Sequence, residues 1–261
     1  MPLRIAIAQP VMYWSGQENT QAVLETIEAA AAAQVQICVF PELAVSGFHR
    51  QIAAVAKPEL VAPWVASIRA ACARHGIAVA VGAPTFGEDG LIYNSQLLID
   101  EAGHIAAVVA KKGLTDPEAT FFARGSARPV ALMHGRRCTA VICREIEDGD
   151  EVCAQLAAEP LDIVFWPGLM SPEVGSEDVD PPAHVQRAQR LAARLNAHVL
   201  QSNWPMSLNH PELGATTGKS VAIQPSGEIA LTLPQAQAGL AVFMLGQSRF
   251  AWTAAAAPAT A

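Results

Sequence analysis

Charged residues, and basic residues above all, are scarce in this chain of 261 residues. They make up 16% of the sequence, and 17 Lys and Arg stand against 24 Asp and Glu, so the formal net charge is −7. No Lys- or Arg-rich run or basic stripe occurs, so a nucleic-acid partner is not expected. Hydrophobic residues reach 51%, which is ample for a large core and is typical of a globular, enzyme-like protein.

Long apolar runs and metal motifs are also lacking. No run approaches the roughly 20 residues that a membrane-spanning helix needs, and residues 3–9 form an alternating apolar pattern with no leader before it. We therefore expect no membrane partner and a cytoplasmic location. The five cysteines are an odd number without paired spacing, which favours reduced thiols. Because neither a CxxC pair nor HExxH occurs, no metal site is expected.

Hydrophobic periodicity predicts a mixed α/β protein. Helical spacing covers residues 18–34, 59–75, 151–158 and 183–196, and short apolar or alternating runs between them predict about a dozen strands. Strand–helix alternation mixed with hairpins indicates sheets that helices cover on their outer faces. Without a strong linker or internal repeat, the expected organisation is a single domain over residues 1–250, followed by an Ala/Pro-rich tail over residues 251–261.

Three chemically reactive side chains each directly follow a predicted apolar strand, namely Glu42, Lys111 and Cys143. Ligands of open α/β sheets usually bind at the carboxyl ends of the strands. Each residue, however, has a plainer interpretation. Glu42 suits a solvated loop or the first turn of a helix, Lys111 with its neighbour Lys112 suits a protected sheet edge, and Cys143 suits a small buried hydrophobe.

If the three strands lie side by side, their ends bring an acid, an ammonium and a thiol together. A thiol is only slightly ionised at neutral pH, so it needs a base, and burial could raise the pKa of Glu42 enough for that task. Lys111 and the backbone N–H of Arg144 could stabilise an oxyanion. These residues predict attack on a carbonyl or nitrile carbon through a covalent thioester.

In these stretches the chain resembles the nitrilase, or carbon–nitrogen hydrolase, superfamily. The family's acid motif stands here as Pro41-Glu42-Leu43 with Gly47-Phe48, its lysine motif as Lys111-Lys112-Gly113-Leu114, and its cysteine motif as Ile142-Cys143-Arg144-Glu145. The lysine motif has the form K-x-x-L, and this spacing to Leu114 selects Lys111 over Lys112. Weaker landmarks extend the resemblance over about residues 3–245.

The resemblance implies a four-layer α-β-β-α sandwich, a homodimer or larger homo-oligomer, and no cofactor. It also implies that Cys143 is the nucleophile, Glu42 the general base and then acid, and Lys111 the oxyanion-stabilising group. Glu118 would be a second acid that positions the substrate or Lys111.

Two further residues are candidates for positioning the substrate. Arg144 either contacts an acidic substrate or points outward to an acid such as Glu147, and Asn203, at the end of a predicted strand, is a candidate polar contact. The nitrilase branch tends to have a tryptophan after the cysteine and a longer chain, so the arginine found here favours a small amide or carbamoyl substrate over a nitrile. A non-catalytic binding or assembly module of the same fold is the alternative from another class.

Overall fold

The computed structural model of the protein describes residues 3–172 and 179–255. Within these residues the α-helices are α1 (Gly16–Ala32), α2 (Ile52–Val55), α3 (Pro58–His75), α4 (Asp116–Ala119), α5 (Gly149–Leu156) and α6 (Ala183–Leu195). The strands are β1 (Arg4–Gln9), β2 (Ile37–Val39), β3 (Ala78–Phe86), β4 (Ile92–Ile99), β5 (Ile105–Ala110), β6 (Ala131–Met133), β7 (Arg136–Ala140), β8 (Ile163–Gly168), β9 (His198–Asn203), β10 (Val221–Ile223), β11 (Ile229–Thr232), β12 (Gly239–Met244) and β13 (Phe250–Ala254). The four predicted helices correspond to α1, α3, α5 and α6.

The strands form two sheets. In the described part of the chain, one sheet has seven strands in the order β13-β12-β1-β2-β3-β4-β5, and the other has six in the order β11-β10-β9-β8-β7-β6. Strands β1, β2 and β3 run parallel to one another, as do β7, β8 and β9. The outer strands pair antiparallel with their neighbours, as the predicted hairpins require.

Alternation along the central strands sorts their side chains between the layers. Ile5 and Ile7 of β1 pack in the core between the two sheets, whereas Ala6 and Ala8 face the layer of α1 and α3. In the second sheet, Phe165 belongs to the core between the sheets and Trp166 packs against the layer of α5 and α6. Because successive side chains of a strand point to opposite faces, each strand contributes to two apolar layers. The predicted four-layer α-β-β-α sandwich is confirmed.

The ends of the chain segments that matter for function meet at one edge of this sandwich. β5 ends directly before Lys111, and β2 and β7 end three residues before Glu42 and Cys143, respectively. β4 runs antiparallel to both β3 and β5, so its beginning, which carries Asn94, lies at this same edge. The sheet topology thus gathers residues that are far apart in sequence.

The C-terminal region differs from the sequence expectation. Strand β13 covers Phe250–Ala254 and pairs antiparallel with β12, so the sheet continues into residues assigned to the tail. Phe250, Trp252 and Thr253 favour a strand, but the segment has only five residues and runs into an Ala/Pro-rich stretch, which hid this signal in the composition. The rest of the predicted tail, 256–261, and residues 173–178, which follow β8, lie outside the described residues.

Candidate active site

Glu42 is held by an unusual crossing of the backbone over β3. A Cβ atom on Gly82 would lie 2.2 Å from the Leu43 nitrogen and 2.6 Å from the Pro41 carbonyl oxygen, so only glycine permits this approach. Leu43 adopts a φ of 53°, and the indole nitrogen of Trp204 donates to the Glu42 carbonyl at 2.8 Å. These contacts fix the backbone at Glu42, whose side chain is fully buried.

Lys111 lies between two carboxylates. Its Nζ donates to Oε1 of Glu42 at 2.7 Å and to Oε1 of Glu118 at 2.6 Å, and the lysine side chain is only 1% exposed. By contrast, Lys112 pairs with Glu151 at 3.4 Å near the surface. Since an ammonium has three donors, Lys111 keeps one N–H beyond the two that it gives to described carboxylates.

Cys143 lies at a sharp turn after β7, where it is the first residue of a 3₁₀ segment, Cys143–Asp148. Its φ is 53°, a left-handed conformation that costs a non-glycine residue energy and is typical of functional turns. The indole of Trp166 donates to the Cys143 carbonyl at 3.0 Å. A Cβ on Gly168 would lie 3.3 Å from Sγ, so the absence of a side chain there leaves room beside the thiol.

Burial and neighbouring charges shift the pKa values of these groups in different directions. Burial, followed by Glu42, raises the pKa of the Cys143 thiol to about 12, although Lys111 opposes the shift. Burial also raises the pKa of Glu42, more than Lys111 lowers it. The thiol is therefore protonated at neutral pH and needs a base beside it, and Glu42 has the raised proton affinity of such a base.

The two carboxylates beside Lys111 have unlike surroundings. Burial pushes the pKa of Glu118 upward, but Lys111 and the hydrogen bonds from Thr115 outweigh it, so this pKa is lowered. Both oxygens of Glu118 accept hydrogen bonds, Oε1 from Lys111 and Oε2 from the backbone and hydroxyl of Thr115. In Glu42, Oε2 accepts none from any described residue. A pair of acids with pKa values pushed apart is a common division into a proton carrier and a fixed charge.

The side chains of Arg144 and Asn203 pair with groups other than Glu42, Lys111 and Cys143. The Arg144 guanidinium pairs with Glu147 at 3.6 Å and Asp148 at 3.2 Å, which is the outward arrangement. Asn203 has both ends of its amide engaged by the backbone, accepting from Met170 N–H and donating to the carbonyls of Met170 and Gly218. Asn203 thus holds the loop after β8 in place, and these hydrogen bonds leave its amide committed to the backbone.

Three residues of the site had no predicted role. Glu145 accepts hydrogen bonds from the N–H groups of Lys112, Gly113 and Ile142 and forms a buried, two-pronged pair with Arg128. The pair therefore ties the segment after Lys111 to the turn of Cys143. Asn94 donates to both carboxylates beside Lys111. For Glu145, the only signal in the sequence was an acid two residues after the cysteine.

Over 3–172 and 179–255, no group of three or more His, Cys, Asp or Glu side chains is arranged to hold a metal ion. No helix in that part of the structure has the length and apolar character to cross a bilayer.

An acid, a lysine and a cysteine thus lie at strand ends of a four-layer α/β sandwich. The sequence profile of the carbon-nitrogen hydrolase family matches residues 4–250, and the chain belongs to this family. The resemblance inferred from the sequence motifs is thereby confirmed.

Several solved structures share this fold. A cysteine-to-alanine mutant of the Nesterenkonia AN1 amidase, from the nitrilase superfamily, is 23% identical, with a TM-score of 0.78 over 93% of this chain and 90% of that one. A second mutant of this amidase, with the same identity, coverage and TM-score, carries the acetamide moiety of fluoroacetamide on its active-site cysteine. The glutamine-dependent NAD+ synthetase of Acinetobacter baumannii is also 23% identical, with a TM-score of 0.77 over 100% of this chain and 49% of that one. A search of curated protein sequences gives no match.

Proposed function

We propose that this protein is an amidase-type hydrolase that cleaves the C–N bond of a small primary amide or carbamoyl compound and releases ammonia. The observation that carries the proposal is the position of Lys111, whose Nζ bridges Glu42 and Glu118 beside a partly exposed, protonated Cys143.

In the proposed first half-reaction, the Glu42 carboxylate takes the proton of the Cys143 thiol, and the sulfur attacks the amide carbon. The resulting oxyanion accepts hydrogen bonds from the Lys111 ammonium and the Arg144 backbone N–H. Glu42 then returns the proton to the nitrogen, the C–N bond breaks, ammonia leaves, and the acyl group remains on sulfur as a thioester.

In the second half-reaction, Glu42 takes a proton from water, and the hydroxide attacks the thioester carbon. The C–S bond breaks, the sulfur takes back the proton from Glu42, and the carboxylic acid leaves. Glu118 keeps its charge throughout and holds Lys111 in place, which its lowered pKa supports. The reaction needs water as its only co-reactant.

The comparisons support this choice of chemistry. The Nesterenkonia amidase forms a covalent adduct with an acetamide moiety at its active-site cysteine, and a structure of it also holds acrylamide. A homodimer or larger homo-oligomer and a cytoplasmic location remain proposals that rest on the sequence and the family resemblance.

The test is ammonia release from a panel of small amides, carbamoyl compounds and nitriles, with Cys143→Ala beside the wild type. We expect release from at least one amide or carbamoyl compound and its complete loss in Cys143→Ala, because no other described thiol lies beside Lys111. Cys153→Ala is the matched control, since this cysteine is also partly exposed but lies on α5. Full activity in Cys143→Ala on the best substrate would overturn the assignment.

The same panel separates the alternatives. A nitrilase would convert a nitrile to the acid faster than the matched amide, and product analysis on such a pair decides between them. A non-catalytic binding module would release no ammonia, and its Cys143 would react with iodoacetamide no faster than an ordinary thiol.

A further inference from the structure

The side-chain amide of Asn94 occupies a central position between the two acids. Its Nδ2 donates to Oε1 of Glu42 at 2.7 Å and to Oε1 of Glu118 at 3.2 Å, and the residue is 1% exposed. Its backbone carbonyl accepts from the Lys111 N–H at 2.8 Å. Asn94 and Lys111 thus donate to the same pair of carboxylate oxygens and are joined to each other through the backbone.

The orientation of this amide follows from its partners. A flipped amide would direct Oδ1 at two carboxylate oxygens, with no proton available between them while both acids are ionised. In the orientation found, Oδ1 is buried and accepts no hydrogen bond from a described residue. Because leaving a buried acceptor unpaired costs free energy, the arrangement makes sense only if the two donated bonds outweigh that cost.

The contacts of Asn94 make the two oxygens of Glu42 unequal. Oε1 accepts from both Lys111 and Asn94, whereas Oε2 has no donor among the described residues. We infer that Asn94 is a positioning residue that fixes Oε1 of Glu42 beside Glu118 and leaves Oε2 as the oxygen that carries the proton. This inference rests on the proposed function for the role of Glu42 as the base.

A neutral donor suits this place better than a charged one. The titratable groups that face Glu42 are Lys111, Glu118 and Cys143. A second cation at position 94 would favour the ionised carboxylate further and weaken it as a base. The amide of Asn94 holds the carboxylate by hydrogen bonds alone, so Glu42 keeps a raised proton affinity and a fixed orientation.

The experiment measures how fast iodoacetamide alkylates Cys143 as pH rises from about 4 to 9, by mass spectrometry of the Cys143 peptide. The rate should fall on the acid side where Glu42 becomes protonated. In Asn94→Ala the Glu42 carboxylate loses a hydrogen-bond donor, so its pKa rises. The acid limb, which is the part of the profile where the rate falls at low pH, should therefore move upward by about one pH unit. This readout needs no knowledge of the substrate.

Two further variants make the result specific. Asn94→Asp keeps the shape but adds a third carboxyl group beside Glu42 and Glu118, so its acid limb should move upward further. Gln96→Ala is the matched control, because Gln96 is buried on the same face of β4 and donates to the Phe40 carbonyl at 3.2 Å, not to either acid. Its acid limb should stay at the wild-type position even if its stability falls.

The outcomes separate this inference from the proposed function. A folded Asn94→Ala variant with the wild-type acid limb, or an equal shift in Gln96→Ala, overturns the role of Asn94 alone. Glu42→Gln should abolish the acid limb. If that variant keeps it, the role of Glu42 as the base fails, and the inference about Asn94 fails with it.

Discussion

At the scale of single residues, burial and neighbouring charges keep the Cys143 thiol protonated and Lys111 a charged ammonium. The Cys143 thiol has a pKa raised to about 12, chiefly by burial, so it does not stand as a thiolate. Lys111 loses proton affinity through burial, but Glu42, Cys143 and Glu118 outweigh this, and its pKa is raised. The ammonium therefore persists well into the alkaline range.

The pH dependence of kcat/KM follows from these shifts. Below its raised pKa, Glu42 is protonated and cannot accept the thiol proton. As the pH is lowered, we therefore expect kcat/KM to fall already above the ordinary glutamic-acid pKa of about 4.3. Glu42→Gln should lower kcat/KM by about 10²- to 10⁴-fold, the usual worth of a general base. A pH profile of both proteins on the best amide checks this. An acid limb that survives in Glu42→Gln would assign the limb to another group.

At the scale of secondary-structure elements, the decisive link joins the end of β5 to the turn after β7. Glu145, at the start of the 3₁₀ segment, binds the backbone of Lys112 and Gly113 on one side and of Ile142 on the other. Arg128 neutralises it, and the two side chains are 2% and 1% exposed. Lys111 and Cys143 thus lie one residue from backbone groups that share a single carboxylate.

Glu145→Ala should be strongly destabilising, because it leaves the Arg128 guanidinium buried without its partner. Breaking a buried ion pair in this way typically costs about 3–5 kcal/mol. Glu147→Ala is the matched control, since Glu147 forms only an exposed pair with Arg144, worth about 0–1 kcal/mol. Urea unfolding of both variants measures the difference, and equal losses of stability would contradict the role given to Glu145.

At the scale of the whole molecule, stability and site depend on the same packed sheets. The core between the sheets runs from β13 at one end to β6 at the other, and Trp252 of β13 packs against it. The last described strand is therefore part of the sandwich that holds the three strand ends in register. β13 forms the edge of its sheet beside β12.

Trp252→Ala should lower the free energy of unfolding by less than the roughly 3–5 kcal/mol of a fully buried tryptophan, because Trp252 is partly exposed. The loss should still exceed the roughly 0.5 kcal/mol of a surface substitution. Thr253→Ala, exposed on the same strand, is the control. Thermal unfolding measures both, and a Trp252→Ala variant as stable as its control would place this strand outside the cooperative core.

Several features of the site could be predicted from the sequence for a plain physical reason. Glu42, Lys111 and Cys143 each follow an apolar run, and in a parallel arrangement strand ends meet at one edge. Asn203 was a candidate for the same reason, and Arg144 because it follows the cysteine, with outward pairing to an acid such as Glu147 as its alternative. The position of a residue does not determine where its side chain points: Arg144 pairs with Glu147 and Asp148, and Asn203 with backbone groups of neighbouring loops.

What the sequence by itself determined was therefore the fold class, the family and the three residues at the strand ends, because periodicity and short motifs are local. Only the tertiary structure decided that Asn94 bridges two acids and that Arg128 pairs with Glu145. Asn94 lies near the start of β4, which runs antiparallel to its neighbours, and Arg128 lies outside any described helix or strand. Their partners depend on sheet order and on burial, which arise when the two sheets pack together and which no local pattern encodes.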